Sequence, residues 1–341
     1  MSNTGPFKLV AIGGGTGLAT LLAGLKPYIS PPEPIISLTA IVTVTDDGRS
    51  SGRLRSEFAV LPPGDIRNCL VALADEDHLL TQLLRYRFPG DGPVGGHSLG
   101  NLIMIALSQI RGDFLKGLDQ LREMLGIEAC ILPSTLDRVD LVARIGGRMM
   151  RGQVAIKSHH GPICDLTLTP PFAEALPAAV EAIRGADLIT LGPGSLFTSV
   201  IANLLVKEIA EALVESRAKK VYICNAMTEF DETDGFTAVA HLRCLLAYVP
   251  GLHLDFVLFN SAAISAEMRD RYAAEKAVAL EPPGSAPPDL KETHFISLPL
   301  ASESRFVRHD PERLSRAILE IYHKSNRPQP LSGFDLLRTS V

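Results

Sequence analysis

Two stretches of this chain place glycines and small hydroxyl residues where a backbone could close around an anion. The first is Gly13-Gly14-Gly15-Thr16-Gly17, between an apolar run and a helical pattern. Gly14, Gly15 and Gly17 let the main chain come close to a ligand, and the free N–H groups of a helix start favour negative charge. Thr16 adds a hydroxyl donor. The second is Gly192-Pro193-Gly194-Ser195, with Thr198 and Ser199 at the start of the following helix. Each alone reads as readily as a tight strand-to-helix turn, with Ser195 as a helix cap. Two such loops after two strands of one sheet point to a shared phosphate site. The spacing fits no dinucleotide fingerprint: counting G-x-G-x-x-G/A from Gly13 puts Leu18 at the third place, and counting from Gly15 puts Thr20 there. No Gly-Lys-Ser/Thr follows for a P-loop either.

Other polar residues stand near strand ends and helix starts. Asp46 and Asp47 close a β-branched run and open a polar loop to Gly52. Such a pair can accept ribose hydroxyls or hold a hard cation such as Mg²⁺, and Asp-Asp-Gly is equally ordinary turn chemistry. Asp65, after Pro62-Pro63-Gly64, reads as a helix N-cap, which puts Arg67 and Asn68 in the first turn within reach of a ligand. His97 and Asn101, in the run Gly95 to Asn101, precede another helix; a lone His in a turn is more often structural than catalytic. No H-E-x-x-H, C-x-x-C or nucleophile-triad pattern is present, and no catalytic residue is assigned.

The elements that must carry these residues alternate. Strands are expected at Lys8 to Ile12, Leu38 to Thr45, Ile127 to Leu132, Leu188 to Leu191, Lys220 to Cys224, Leu254 to Asn260 and Phe295 to Leu298. Helices are expected from Leu18, over Asp65 to Ala74, Leu79 to Tyr86, Asn101 to Ile110, Phe114 to Leu125, Leu176 to Arg184 and Phe236 to Leu246. Others run from the second glycine turn to about Glu215, over Ala263 to Lys276 and over Pro311 to His323. Shorter strands at Val139 to Ile145, Gln153 to Ile156 and Leu166 to Leu168 suggest a meander. This rhythm predicts an α/β, Rossmann-like three-layer fold with a mostly parallel sheet, ligands sitting beyond the carboxyl ends of the strands. One domain over 1–325 is expected, with a mobile C-terminal tail at 326–341.

Composition narrows the classes. Hydrophobic residues are 46% and charged residues 21% of 341, so the chain can bury a core. A net charge of -5 argues against nucleic acid held by general attraction to phosphates. Five dispersed cysteines read as reduced thiols. Leu188 to Val206 has no formal charge and about the length of a span, but its glycines, proline and hydroxyls fit a strand, turn and helix better. No membrane span and a cytoplasmic location are expected.

Taken in order, Gly13 to Leu18, Val42 to Gly48, Pro62 to Leu73, Gly96 to Leu102, Leu132 to Thr135 and Gly192 to Leu205 resemble the YvcK-like family, the putative gluconeogenesis factors of the CofD-like superfamily. The resemblance runs from about Lys8 to Ile321. It implies a Rossmann-like core, binding of UDP-sugars such as UDP-N-acetylglucosamine, and a regulatory part in cell shape and peptidoglycan supply during gluconeogenic growth. The related CofD enzymes transfer a phospho-lactyl group from a nucleotide donor with a divalent metal, and Asp47 matches a residue that ligates it. The resemblance also implies that Tyr272 stacks on a base or contacts the sugar and that Arg308 pairs with the diphosphate. Their plain alternatives are a half-buried helix tyrosine and an arginine before a helix capped by Asp310. Two departures stand out. Arg49 replaces a usual glycine, and Asn225 to Thr233 differs from the usual Asn-Leu-Met-Thr-Gln-Pro-Gly-Glu-Thr. The leading expectation is therefore a nucleotide-sugar-binding regulator, with homo-oligomer formation left open. A metal-dependent transferase is second and NAD-dependent redox chemistry third.

Overall fold

The structure, a computed structural model, describes residues 5–30, 34–159 and 161–325. The expected C-terminal tail at 326–341 lies outside the described residues.

The chain opens with strand β1 (Phe7–Gly13), helix α1 (Gly15–Leu25) and strand β2 (Ile36–Val42). Helices α2 (Arg49–Phe58), α3 (Gly64–Leu73), α4 (Leu79–Arg85), α5 (Leu99–Arg111) and α6 (Phe114–Met124) follow before β3 (Cys130–Pro133). A small excursion holds β4 (Asp140–Ile145), β5 (Arg148–Arg151), α7 (Gln153–Lys157) and β6 (Cys164–Thr169). Then come α8 (Pro177–Arg184), β7 (Leu188–Leu191), a π-helical segment at Leu196–Ile201, the single turn α9 (Ala202–Leu204) and α10 (Lys207–Glu215). The last part is β8 (Lys219–Ile223), α11 (Ala238–Tyr248), β9 (Phe256–Asn260), α12 (Ala266–Ala274), β10 (His294–Leu298), the hairpin β11 (Ala301–Glu303) and β12 (Val307–His309), and α13 (Pro311–Ser325).

Seven parallel strands form one sheet in the order β10-β9-β8-β7-β1-β2-β3. Because side chains alternate along a strand, each strand feeds two cores. Val10 and Ile12 join Ile41, Ile189, Leu191 and Phe259 on one face, together with residues of α8, α10 and α11. Leu9 and Ala11 join Leu38, Ala40, Val221 and Leu258 on the other, together with residues of α1, α3 and α13. This is the expected three-layer α/β arrangement. Among the described residues no helix is long and apolar enough to cross a membrane.

Several local expectations are corrected. Gln153 to Ile156 is a helix; the strand there is Arg148–Arg151, paired with β4. Ile156 is buried while Val154 stays exposed, so the two alternating apolar letters lie on different sides of a helix and not on one face of a strand. The polar loop from Asp46 ends early because Arg49 already begins α2, which buries Ser50, Ser51 and Leu54. Asp65 is not an N-cap: α3 starts at Gly64 with Pro63 at the cap position and no side-chain cap bond. The helix expected to run on to Glu215 is broken into a π segment and two α segments.

Candidate functional site

Strands β1 and β7 are neighbours at the centre of the sheet, and from them the chain proceeds outward in opposite directions, β1 to β2 and β3, β7 to β8, β9 and β10. Such a reversal of strand order leaves a crevice at the carboxyl ends, where open α/β sheets bind ligands. Both glycine loops leave from there. They pack backbone on backbone: a Cβ on Gly17 would stand 2.5 Å from the Pro193 carbonyl oxygen and 2.8 Å from the Gly194 Cα. Gly15 takes φ +60° and Gly192 φ +81°, conformations open to glycine. Buried Asn203 ties the two loops by donating to the Gly13 carbonyl (2.9 Å) and the Ser199 carbonyl (2.7 Å).

A cavity of about 470 Å³ opens over them, lined by Gly14, Gly15, Thr16, Gly17, Pro193, Gly194, Ser195 and Ser199. Its far wall carries Tyr272 from α12 and Arg308 from β12. The Tyr272 hydroxyl accepts the Val307 N–H (3.0 Å), fixing helix to hairpin, and the Arg308 guanidinium lies 5.4 Å from the Phe306 ring centroid. Ten of the residues assigned to a ligand from the sequence thus share one cavity. Gly192 shapes its loop behind the lining, and Thr198 is buried.

Four further residues line the wall: Asp65, expected only as a cap, Asn225 and Glu229, noted only within the run that departs from the family pattern, and Lys157, which the sequence did not single out. Lys157 Nζ lies 3.2 Å from Ser195 Oγ, 3.3 Å from Glu232 and 3.7 Å from Glu229. The Ser195 hydroxyl donates to Glu229 (2.6 Å), and Asn225 Nδ2 donates to its other oxygen (3.2 Å). Buried Glu232 accepts the N–H groups of Phe197 (3.0 Å) and Thr198 (3.1 Å), which orients the start of the π segment. Desolvation, with Glu232 beside it, raises Glu229 to about 7 despite Lys157 and Ser195. Burial acts to lower the pKa of Lys157, but Glu232 and Glu229 outweigh it and hold the ammonium above its ordinary value. Burial, with Asp46 nearby, also raises Asp65 to about 7 against the pull of the Gly15 N–H, Lys157 and Arg67. The cavity therefore combines fixed backbone donors with two carboxyl groups poised near neutrality.

The remaining candidates lie elsewhere. Arg67 donates to Asn68 (2.6 Å) and to Ser98, while His97 and Asn101 both bond Ser50 Oγ (3.0 and 3.1 Å), which pins α2 to the start of α5. Burial first, then Arg53, lowers the His97 pKa. Asp46 accepts the N–H of Gly48 (3.0 Å). Asp47 faces a second, open groove of about 1570 Å³ on the other side of α7, where its carboxylate accepts the Val154 N–H (2.9 Å). Burial, with Asp46, raises its pKa. Six arginines line that groove, Arg49, Arg53, Arg55, Arg87, Arg138 and Arg151, against three acids, Asp47, Glu57 and Asp140. Among the described residues no three His, Cys, Asp or Glu side chains gather to hold a metal. Mg²⁺ is commonly held by one or two carboxylates together with phosphate oxygens and water, so Asp47 fits a cation only as a partial ligand set.

Comparison with known proteins follows the same lines. The family model described as 2-phospho-L-lactate transferase CofD matches residues 9–291. A putative gluconeogenesis factor of Nostoc sp. is 44% identical over 318 residues, 92% of this chain and 68% of that one. The gluconeogenesis factor of Bacillus subtilis is 38% identical over 321 residues, 92% of this chain and 98% of that one. The crystal structure of a upf0052 family member from Bacillus halodurans superposes with a TM-score of 0.85 at 40% identity, covering 92% of this chain and 99% of that one.

Proposed function

The chain belongs to the CofD family, among its YvcK-like gluconeogenesis factors, and on that premise we propose that it is a regulatory protein that binds a UDP-sugar of the UDP-N-acetylglucosamine type. The observation that carries this reading is the convergence of both glycine loops, Tyr272 and Arg308 on one cavity at the reversal of strand order. The backbone amides of Gly14 to Gly17 and the α1 start take the diphosphate, the Gly15 N–H in exchange for its bond to Asp65; Arg308 pairs with its charge, and Tyr272 packs on the base or sugar. A volume of about 470 Å³ lies within the range of small-ligand pockets. In the cytoplasm of a cell growing on gluconeogenic carbon, such a protein couples nucleotide-sugar supply to cell shape and peptidoglycan precursors.

The test is thermal unfolding with and without UDP-N-acetylglucosamine. Stabilisation by a few degrees without turnover is expected, and Arg308→Ala weakens binding about tenfold or more, as for a lost charged hydrogen bond. No shift with any UDP-sugar overturns the reading.

A second reading is a transferase that moves a phospho-lactyl-type group from a nucleotide-activated donor. The family model favours it, as does Asp47 across α7 from the glycine loops. In that case Asp47 would be the residue that holds Mg²⁺, which would neutralise charge on the donor phosphates. Metal-dependent consumption of donor, lost in Asp47→Asn, distinguishes it from the regulator.

A further inference from the structure

We propose that Ser195, Lys157 and Asn225 form a phosphate subsite of the glycine cavity, and that the Glu229 carboxylate occupies it as an internal stand-in that must be neutralised or displaced before a diphosphate binds. The inference rests on the reading that this cavity takes a nucleotide diphosphate.

Three donors of different kinds meet on one carboxylate. The Ser195 hydroxyl reaches one Glu229 oxygen at 2.6 Å, Lys157 Nζ lies 3.7 Å from that same oxygen, and Asn225 Nδ2 reaches the other at 3.2 Å. A hydroxyl, an ammonium and an amide converging on one group are what phosphate oxygens accept. All four residues line the cavity that holds the Gly14 to Gly17 amides.

The fold does not depend on the Glu229 carboxylate staying there. Its turn is held by the main chain: the Glu229 carbonyl accepts the N–H groups of Glu232 (3.1 Å) and Thr233 (2.8 Å), and the Glu229 N–H donates to Thr233 Oγ1 (2.9 Å). Glu232 is the opposite case, its side chain 1% exposed and bonded to two backbone N–H groups. With 35% of its side chain open to the cavity, Glu229 is the member of the pair free to leave.

Charge then decides when it leaves. Around Glu229 stand Glu232 on its own loop, Lys157 from α7, Ser195 from the loop after β7 and Asp65 from α3; Tyr272, Arg308 and His309 close the cavity. Burial lowers His309 to about 4, so it stays neutral near pH 7. Lys157 already faces two glutamates, and a diphosphate beside an ionised Glu229 leaves it further outnumbered. Binding is therefore linked to proton uptake, with the folded carboxyl raised to about 7. Linkage to one such proton makes affinity fall about tenfold between pH 6 and pH 8.

Calorimetric titration of UDP-N-acetylglucosamine at pH 6, 7 and 8 tests this, with sulfate-dependent thermal stabilisation as a second probe. The charges of a doubly esterified diphosphate and of sulfate are constant over that range. Glu229→Gln is expected to bind UDP-N-acetylglucosamine about tenfold more tightly than wild type at pH 8 and equally at pH 6. Asp65→Asn should keep the Glu229-linked fall, which separates the two carboxyls and leaves a readout that needs no substitution at 229. If both probes are insensitive to Glu229→Gln and to pH, the subsite is overturned. If UDP-N-acetylglucosamine fails to bind while sulfate shows the pH and variant pattern, the nucleotide-sugar reading falls and the subsite stands. If the sugar nucleotide binds with the same affinity at every pH and in Glu229→Gln, the reverse holds.

Discussion

The five-residue helix α7 separates two cavities built on opposite electrostatic plans. On the side of Gln153 and Lys157, the glycine cavity draws its positive potential mainly from backbone N–H groups held in fixed loops. On the side of Val154, the groove draws its own from long guanidinium side chains on a chain whose net charge is -5. Backbone dipoles are set by the fold and do not titrate. The field of guanidiniums that face solvent is screened within about 8 Å at physiological salt. The first cavity is thus sensitive to packing and, through Glu229 and Asp65, to pH, the second to ionic strength.

The largest expected effect strikes the packed side. Gly17→Ala drives a methyl group onto the Pro193 carbonyl and the Gly194 Cα, and should cost about 2–3 kcal/mol in urea unfolding. It should also abolish UDP-N-acetylglucosamine binding. Gly96→Ala, beside the arginine groove, meets no atom within 4 Å and bears only the strain of φ +72°, about 1 kcal/mol. Equal losses at the two positions would break the comparison.

A smaller effect sharpens the pH side. The folded pKa of Asp65 stands at about 7, above its ordinary value, so the folded state binds more protons than the unfolded state between about pH 4 and pH 7. The cost of ionising it is absent below that window, grows as pH rises through it and is complete above pH 7. Asp65→Asn should therefore stabilise the protein at pH 8, on the order of 1 kcal/mol, and leave stability at pH 4 unchanged. Chemical denaturation at the two pH values measures this; an equal change at both would place the pKa shift elsewhere.

The smallest effect belongs to the groove. Asp140 pairs with Arg55 and with Arg151, each at 2.7 Å. Asp140→Asn should cost roughly 0.5–1 kcal/mol at low salt and less in 1 M NaCl. The Gly17→Ala loss should not change with salt in this way.

What the sequence made legible follows the range of the interactions. The seven strands of the main sheet are local apolar runs, β1 and β7 ended by the two glycine loops, and their alternation with helices alone implied a parallel sheet. That the two loops meet depends on β7 pairing with β1 across about 180 residues, a consequence of topology. Where local signals competed, reading failed. Val154 and Ile156 alternate as a strand would, yet Gly152 at φ +94° turns the chain into α7, and so Lys157 was missed. Helix α2 was hidden by serines and arginines, because its buried face rests on Ser50, Ser51 and a single leucine. Asp65 carries every letter of a cap, but its carboxylate serves Gly15 of a different loop. Glu229 sat within a run noted only for departing from the family pattern. Its partners Ser195 and Lys157 lie 34 and 72 residues away in sequence, beyond any spacing rule.

The hairpin β11–β12 pairs only within itself and forms a sheet of its own, apart from the seven strands that anchor both glycine loops. The cavity therefore has a floor bolted to the middle of the molecule and a flap outside that sheet, held by the Tyr272 hydroxyl on Val307, by Asn260 on the Ala301 N–H, by Glu303 on Ser265 and by a small apolar cluster of its own. A bulky guest strains the flap before it strains the floor. Amide hydrogen exchange should record that asymmetry, with protection lost first at residues 301–309 while the strands beneath the phosphate cradle exchange only when the whole domain opens.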